Sequence, residues 1–397
     1  MLAKQPCVKI GTHQWRTSAT WLLLLFASTL IAALPARTQT FTTLYSFQGP
    51  PDGADPHGGL IIDSAGNLYG TTVSGGQFCN NTGCGTAFKI DPSGNETVLH
   101  SFRRLDGIGP DSAMVGDRSG NLYGCAPMGG AFISGTVFKI SPAGKIRILH
   151  TFNPTNGDAA SPTGLVRDHA GNLYGTTETG GGFNQGTIFK IDAAGNESIL
   201  FNFDGPHGST PKGGLILYGI DNQLYGTTSQ GGDVNAGTIF VSDTNGNVTV
   251  LYSFADAGDG GFPLAGLVPD FFDGSFYGTT GSGGRFNAGT VFKFTRGGTL
   301  VSLHSFRPAL GDGRSPIGGV VADSNGNLYG TTEFGGASDM GTVYKVDRQG
   351  NETVIHSFAG GTEGQQPLSG LLLDRGNLYG TTSGLSGNGT VFKISPQ

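Results

Sequence analysis

Charge is scarce. Lys, Arg, Asp and Glu make up 13% of the 397 residues, about half the usual share. The 23 basic residues are outnumbered by 29 acidic ones, for a formal net charge of −6, so no polycation is available to neutralise phosphates and nucleic acid is excluded as an expected partner. No window sets Ala, Leu, Glu and Lys at helical spacing, which argues against an α/β enzyme. His-Glu-x-x-His, paired-cysteine zinc patterns, the Gly-x-Ser-x-Gly elbow and the phosphate-binding Gly-x-x-x-x-Gly-Lys-Ser/Thr loop are all missing, which removes the commonest metal-protease, hydrolase and nucleotide-binding readings. Only one apolar run reaches membrane length, and it is N-terminal.

That N-terminal run follows Lys4, Lys9 and Arg16 and precedes Pro35-Ala36, the pattern of a secretory signal peptide over residues 1–36. The uncharged stretch from Thr17 to Ala36 also suits an uncleaved anchor. Cleavage would remove three basic residues, taking −6 to −9, together with Trp15 and Trp21, the only tryptophans. The remaining chain, 37–397, is expected to be one acidic, exported, monomeric domain without further membrane contact. Cys79 and Cys84 bracket a short polar loop and are read either as a loop-stapling disulfide or as two free thiols. Cys125 stands where other copies of a repeated motif carry Thr and is read as a small buried residue.

What is abundant is turn chemistry: 71 Gly and 19 Pro. The glycines recur in order. The motif Leu-Tyr-Gly-Thr-Thr and its variants place tyrosines at Tyr69, Tyr123, Tyr174, Tyr225, Tyr277, Tyr329 and Tyr379, about 51 residues apart. Around each lie an apolar segment such as Gly59-Leu60-Ile61-Ile62-Asp63, a turn, a Gly-rich loop, a segment like Gly85-Thr86-Ala87-Phe88-Lys89-Ile90, a second turn, and a segment like Thr97-Val98-Leu99-His100-Ser101-Phe102. Each unit reads as four short strands rich in β-branched and aromatic residues, with Asn, Gly and Pro setting the turns. One such sheet cannot bury both faces, whereas seven arranged radially can, so the expected fold is an all-β, seven-bladed propeller; a linear β-solenoid is the alternative.

With these motifs the chain resembles the GloVer (Gloeo/Verruco) tandem-repeat proteins, whose repeats read Asn-Leu-Tyr-Gly-Thr-Thr, Gly-Thr-Val-Phe-Lys-Ile and Leu-His-Ser-Phe. The resemblance covers roughly residues 41–397 and implies a secreted bacterial protein, but no particular activity. It also implies a C-terminal anchoring signal, which is not expected here because the chain ends Ser395-Pro396-Gln397 directly after a strand. The repeat opens at 41–47 with a fourth strand and closes at 389–394 with a third, so residues 41–47 are expected to complete the last blade and close the ring.

Sevenfold residues are expected to be scaffold. His100, His150, His304 and His356 share a position with Tyr45, Phe201 and Tyr252, which argues for packing; the repeated lysines (Lys89, Lys139 and their equivalents) are read as solvated, the Thr-Thr pairs as cross-strand bonds, and Asp63, Asp117, Asp168, Asp270, Asp323 and Asp374 as acceptors for turn amides. Function is expected on the face carrying the blade-to-blade connections and the Gly-rich loops. Candidate catalytic residues are His57, His207 and Asp55, with the two histidines placed on nearly opposite sides of the channel for acid–base work; plain solvation is the alternative. Candidate ligand contacts are Asp52 and the loop aromatics Phe78, Phe132, Phe183 and Phe286, which either stack on sugar rings or pack between blades. No cofactor is expected; calcium on Asp106, Asp111, Asp158, Asp259 or Asp312 is the one ion considered. The expected role is a secreted, periplasmic or cell-surface scaffold binding a small molecule, glycan or protein at the channel mouth. The alternatives are a lactonase-like hydrolase or lyase at the same mouth, and a purely structural surface protein.

Overall fold

The computed structural model describes residues 39–219, 222–270, 272–384 and 387–395; the expected signal segment 1–36 lies outside them. Most hairpins start from an aspartate, with Ser141 and Thr295 in its place between the third and fourth strands of blades 2 and 5. In the first, Asp63 Oδ1 accepts the N–H groups of Ala65 and Asn67, while Oδ2 accepts from the Asn67 amide and the Tyr69 hydroxyl. The same set recurs at Asp117–Asn121–Tyr123 and Asp323–Asn327–Tyr329, so the repeated Asp and the repeated Tyr are one device that fixes the turn between first and second strands. Asp91 with Asn95 does the same between third and fourth strands.

Seven four-stranded antiparallel sheets result. Blade 1 comprises Ile61–Ile62, Leu68–Thr72, Thr86–Ile90 and Glu96–Ser101, and blades 2 to 6 follow in chain order. Blade 7 is built from both ends of the domain: Thr40–Ser46 pairs antiparallel with Thr390–Ser395, with Thr42 opposite Lys393 and Tyr45 opposite Val391. The ring closes as its terminal register requires. Among the described residues no helix is long and apolar enough to cross a membrane.

Both faces of every blade are packed. In the third strands, such as Thr290–Phe294, all residues are buried except the lysine position, so the period-two alternation marks two buried faces rather than one wet and one dry. Glycine makes this possible at Gly70, where a Cβ would come within 2.6 Å of the Phe88 ring. The fourth-strand phenylalanine of each blade then meets the third-strand aromatic of the next, edge to face: Phe47–Phe88, Phe102–Phe138, Phe152–Phe189, Phe203–Phe240, Phe254–Phe292, Phe306–Tyr344 and Phe358–Phe392 run round the ring at centroid distances of 4.9–5.5 Å. Edge-to-face pairs add about 0.5–1.5 kcal/mol each beyond their buried area.

The Thr-Thr pairs have two tasks. The first Thr donates to the next blade, as Thr227 does to the Ala265 carbonyl and Thr331 to that of Ser369; the second bonds the third-strand Thr of its own blade, as in Thr72–Thr86. Cys125 replaces a first Thr, is fully buried, and touches Ser112 Oγ at 3.2 Å; burial raises its thiol to about 12. The repeated lysines are not simply solvated: Lys139 and Lys293 lie over the rings of Tyr123 and Tyr277 on the neighbouring strand, and Lys293 also bonds Asp270 and Asp273.

Candidate functional site

The site is made by one backbone device used seven times. Each connection carries a proline, and the residue before it is left-handed in every copy: Asp55, Gly109, Ser161, Thr210, Phe262, Ser315 and Gln366 have φ between 49° and 64°. Six of these are not glycine, and such a conformation persists only where its surroundings hold it. Here the N–H of each donates, at 2.7–3.0 Å, to a carbonyl in the preceding blade's loop: Asn388, Cys84, Ser134, Gln185, Ala236, Ala288 and Met340 in turn. The proline ring packs on the glycine that opens that blade's third strand; a Cβ on Gly135 would lie 2.5 Å from Pro162 Cδ.

The next residue is thereby turned into the channel mouth. In order these residues are His57, Asp111, Thr163, Lys212, Leu264, Ile317 and Leu368, and all seven line one cavity of about 440 Å³, joined by Glu178 from the loop of blade 3. The ring is split. Four consecutive connections present polar or charged groups, and three present aliphatic ones.

The polar arc is internally wired. His57 Nε2 lies 2.9 Å from Asp55 Oδ1, and Asp55 also accepts the Gly384 N–H at 2.7 Å. Burial opposes the charge on Asp55, but these bonds outweigh it and hold the carboxyl below its ordinary range. Asp111 goes the other way: burial, with Glu178 adding to it, pushes its carboxyl up to about 6, against smaller opposing effects of a backbone bond, His57 and Lys212. Lys212 Nζ sits 3.9 Å from Glu178. A histidine oriented by one carboxylate thus faces a cavity with a second carboxyl raised to about 6.

Of the expected site residues, the structure brings His57, Asp55 and Asp111 to this mouth and leaves the others elsewhere. His207 is corrected: it does not line the channel. It occupies the place where the other connections carry an acid, and its reason is visible in the six other copies. There the fourth-strand side chain meets the acid of the following connection: Tyr45–Asp52 and Tyr252–Asp259 through hydroxyls, His100–Asp106, His150–Asp158, His304–Asp312 and His356–Glu363 through Nε2 at 3.0–3.3 Å. Phe201 has no donor, so His207 replaces the acid, packs edge-on to Phe201 and bonds Asp204 instead. The fourth-strand histidines are therefore polar partners as well as packing groups. Asp52 is occupied by Tyr45, the Gln48 N–H and the Gly53 N–H, a structural role.

The loop aromatics lie outside the cavity lining. Phe132 and Phe183 are 52% and 62% exposed rather than packed between blades, Phe286 lies near Arg285 and Arg307, and Phe78 sits under Arg103. Cys79 and Cys84 are joined as a disulfide in the loop of blade 1. The aspartates considered for calcium are dispersed over four connections, with only Asp106 and Asp111 sharing one. Two of them, Asp158 and Asp312, instead join a histidine and a glutamate in compact clusters at blade interfaces. The sequence reading missed Thr163, Lys212, Glu178 and the aliphatic arc; aligning the residue that follows each connecting proline would have found all but Glu178.

No curated protein matches the sequence. Among solved structures, virginiamycin B lyase from Staphylococcus aureus is similar at a TM-score of 0.60 and 14% identity, over 90% of this chain and all of that one. An extracellular domain from B. thetaiotaomicron, assigned to a hybrid two-component system, is similar at a TM-score of 0.57 and 12% identity, over 90% of this chain and 40% of that one. At such identities the likeness is one of fold. The sequence carries more: the model of the Gloeobacter/Verrucomicrobia repeat matches residues 28–181 and 303–397, and the chain belongs to that repeat family.

Proposed function

We propose that this protein is an extracytoplasmic propeller that binds a small amphipathic ligand at its channel mouth. The observation that carries the reading is the split ring: His57, Asp111, Thr163 and Lys212 face a polar or charged part of the ligand, while Leu264, Ile317 and Leu368 take an apolar part. A concave site of about 440 Å³ suits a small molecule better than a protein surface. The Cys79–Cys84 disulfide and the apolar N-terminal segment favour an oxidising compartment outside the cytoplasm, and the fold is shared with an extracellular domain. The test is a dye-monitored melting screen of amphipathic small molecules, lactones and oligosaccharides, run on the parent, Lys212→Ala and Leu264→Ser. A class that raises the parent's midpoint by a few degrees and fails on both variants supports the reading. Equal shifts in all three proteins would place the ligand elsewhere, and a flat screen would favour a protein partner or a structural surface role.

A second reading rests on the His57–Asp55 pair facing Asp111. An oriented histidine beside a carboxyl raised to about 6 is the equipment for general acid–base chemistry, as in ring opening or elimination. Turnover of a lactone by the parent, lost in a folded His57→Gln variant, would support an enzyme.

A further inference from the structure

Away from the channel, two blade interfaces carry the same three side chains in the same arrangement. Between blades 2 and 3 they are His150, Asp158 and Glu197; between blades 5 and 6 they are His304, Asp312 and Glu352. In each set the imidazole Nε2 and the aspartate Oδ2 are 3.0 Å apart, and one ligand atom from every residue lies within 4.8 Å of the others. In each set the glutamate's Oε1 is buried without a hydrogen-bond partner. Such an atom is costly to leave unpaired.

The repeat itself shows that the glutamate is not demanded by the scaffold. At the same position of the fourth strand the other blades carry Phe41, Ile146, Val248 and Leu300, with Glu96 the one further acid. Apolar residues fit this half-buried place, and Phe41 stacks there on the His356 ring. A carboxylate set against a second carboxylate and an imidazole, where a leucine would serve, asks for a cation.

We propose that these two clusters are divalent transition-metal sites, each offering one imidazole nitrogen and two carboxylate oxygens. Tetrahedral zinc with bonds of about 2.1 Å to nitrogen and oxygen sets its ligand atoms roughly 3.4 Å apart, so each cluster tightens modestly around the ion. Binding takes the imidazole in its Nδ1–H tautomer, so that the Nε2 lone pair faces the metal instead of an N–H facing Asp158 or Asp312. Two carboxylates balance the ion's charge, and solvent completes the coordination, since each histidine remains slightly exposed. The imidazole selects zinc-like ions over calcium, which prefers six to eight oxygens. Three of the remaining interfaces are built-in comparisons: Tyr45–Asp52–Glu96 has no imidazole although its Glu96 Oε1 is likewise unpartnered, His100–Asp106 faces Ile146, and His356–Glu363 faces Phe41.

The test is calorimetric titration of the metal-stripped protein with zinc chloride, paired with cobalt(II) substitution read by visible absorption. The parent should take up two zinc ions per chain, His150→Tyr or His304→Tyr one, and the double variant none. Tyrosine already serves at this position in Tyr45 and Tyr252, where it keeps the bond to the acid, so metal-free melting should be unchanged. Should either tyrosine variant fold poorly, Glu197→Val and Glu352→Leu remove the other arm with residues the scaffold uses in Val248 and Leu300. Absence of zinc uptake by the parent, calcium uptake in its place, or two ions retained by both double variants would overturn the assignment.

Discussion

The ring of Phe47 meets the ring of Phe88 edge to face, with centroids 5.0 Å apart. Phe47 closes the N-terminal strand of blade 7, and Phe88 belongs to blade 1, so this contact and the pairing of Thr40–Ser46 with Thr390–Ser395 are what turn a row of blades into a ring. Its geometry matches that of Phe254–Phe292 in mid-chain, at 5.5 Å. Truncation at either phenylalanine should therefore cost a similar amount, about 3–5 kcal/mol for a buried Phe→Ala change. Deleting 39–47 is a different event. It exposes the whole edge of Thr390–Ser395 to other chains, and an unpaired edge recruits strands. Denaturant melts should place Phe47→Ala beside Phe254→Ala, while size-exclusion chromatography should show the deletion as aggregates; a monomeric, stable deletion product would mean that closure contributes little.

Phe201 and His207 predict a coupled pair. Everywhere else a strand donor meets a loop acid; here an apolar ring meets a loop histidine, and Asp204 supplies the acid. His207→Asp alone sets a second carboxylate beside Asp204 with no donor to neutralise it, and should destabilise. Adding Phe201→His restores the arrangement of His150–Asp158 and should recover most of the loss. The double-mutant cycle is expected to show a favourable coupling of about 1–2 kcal/mol; strictly additive effects would deny the pairing.

How legible this was depended on whether a residue acts within its repeat or across the ring. The strands, the Asp–Asn turns and the closure by residues 41–47 follow from local pattern and from counting units, and all are visible in the chain. The Phe47–Phe88 contact and the bond from Thr227 to the Ala265 carbonyl lie between blades, and no periodicity within a unit reveals them. His207 misled because a histidine in a polar loop resembles a site residue until its position is aligned with Asp158 and Asp312. Lys212 and Leu264 were missed for the opposite reason: neither is chemically conspicuous alone. Each gains meaning from the left-handed residue and proline before it, which aim the next side chain inward.

The Cys79–Cys84 bridge closes a short loop beside Phe78 and Arg103. Chain-entropy arithmetic for so small a loop gives about 2 kcal/mol. Reduction, or Cys79→Ser with Cys84→Ser, should lower the melting midpoint by a few degrees and leave the ring intact, because no strand of blade 1 contains either cysteine. Global unfolding on mild reduction would show that the loop holds more than itself.

Asp111 gives the channel mouth a pH signature. Its carboxyl rises from 3.8 to about 6 in the folded protein, chiefly through burial. The folded state therefore holds a proton that the unfolded chain releases, so the stability associated with Asp111 is fully present below the ordinary carboxylate pKa. It is lost as pH rises through about 6, amounting to roughly 3 kcal/mol once both states are ionised. Asp111→Asn keeps the shape and removes the titration. Glu96 and Glu352, raised to about 7 by burial, titrate over an overlapping range, so the informative quantity is the difference between parent and variant. That difference should shift in favour of Asp111→Asn between pH 4 and pH 7 in urea melts, and stay level above pH 8. A level difference throughout would mean that Asp111 is solvated at the mouth, and it would remove the proton-holding carboxyl on which the acid–base reading of His57 depends.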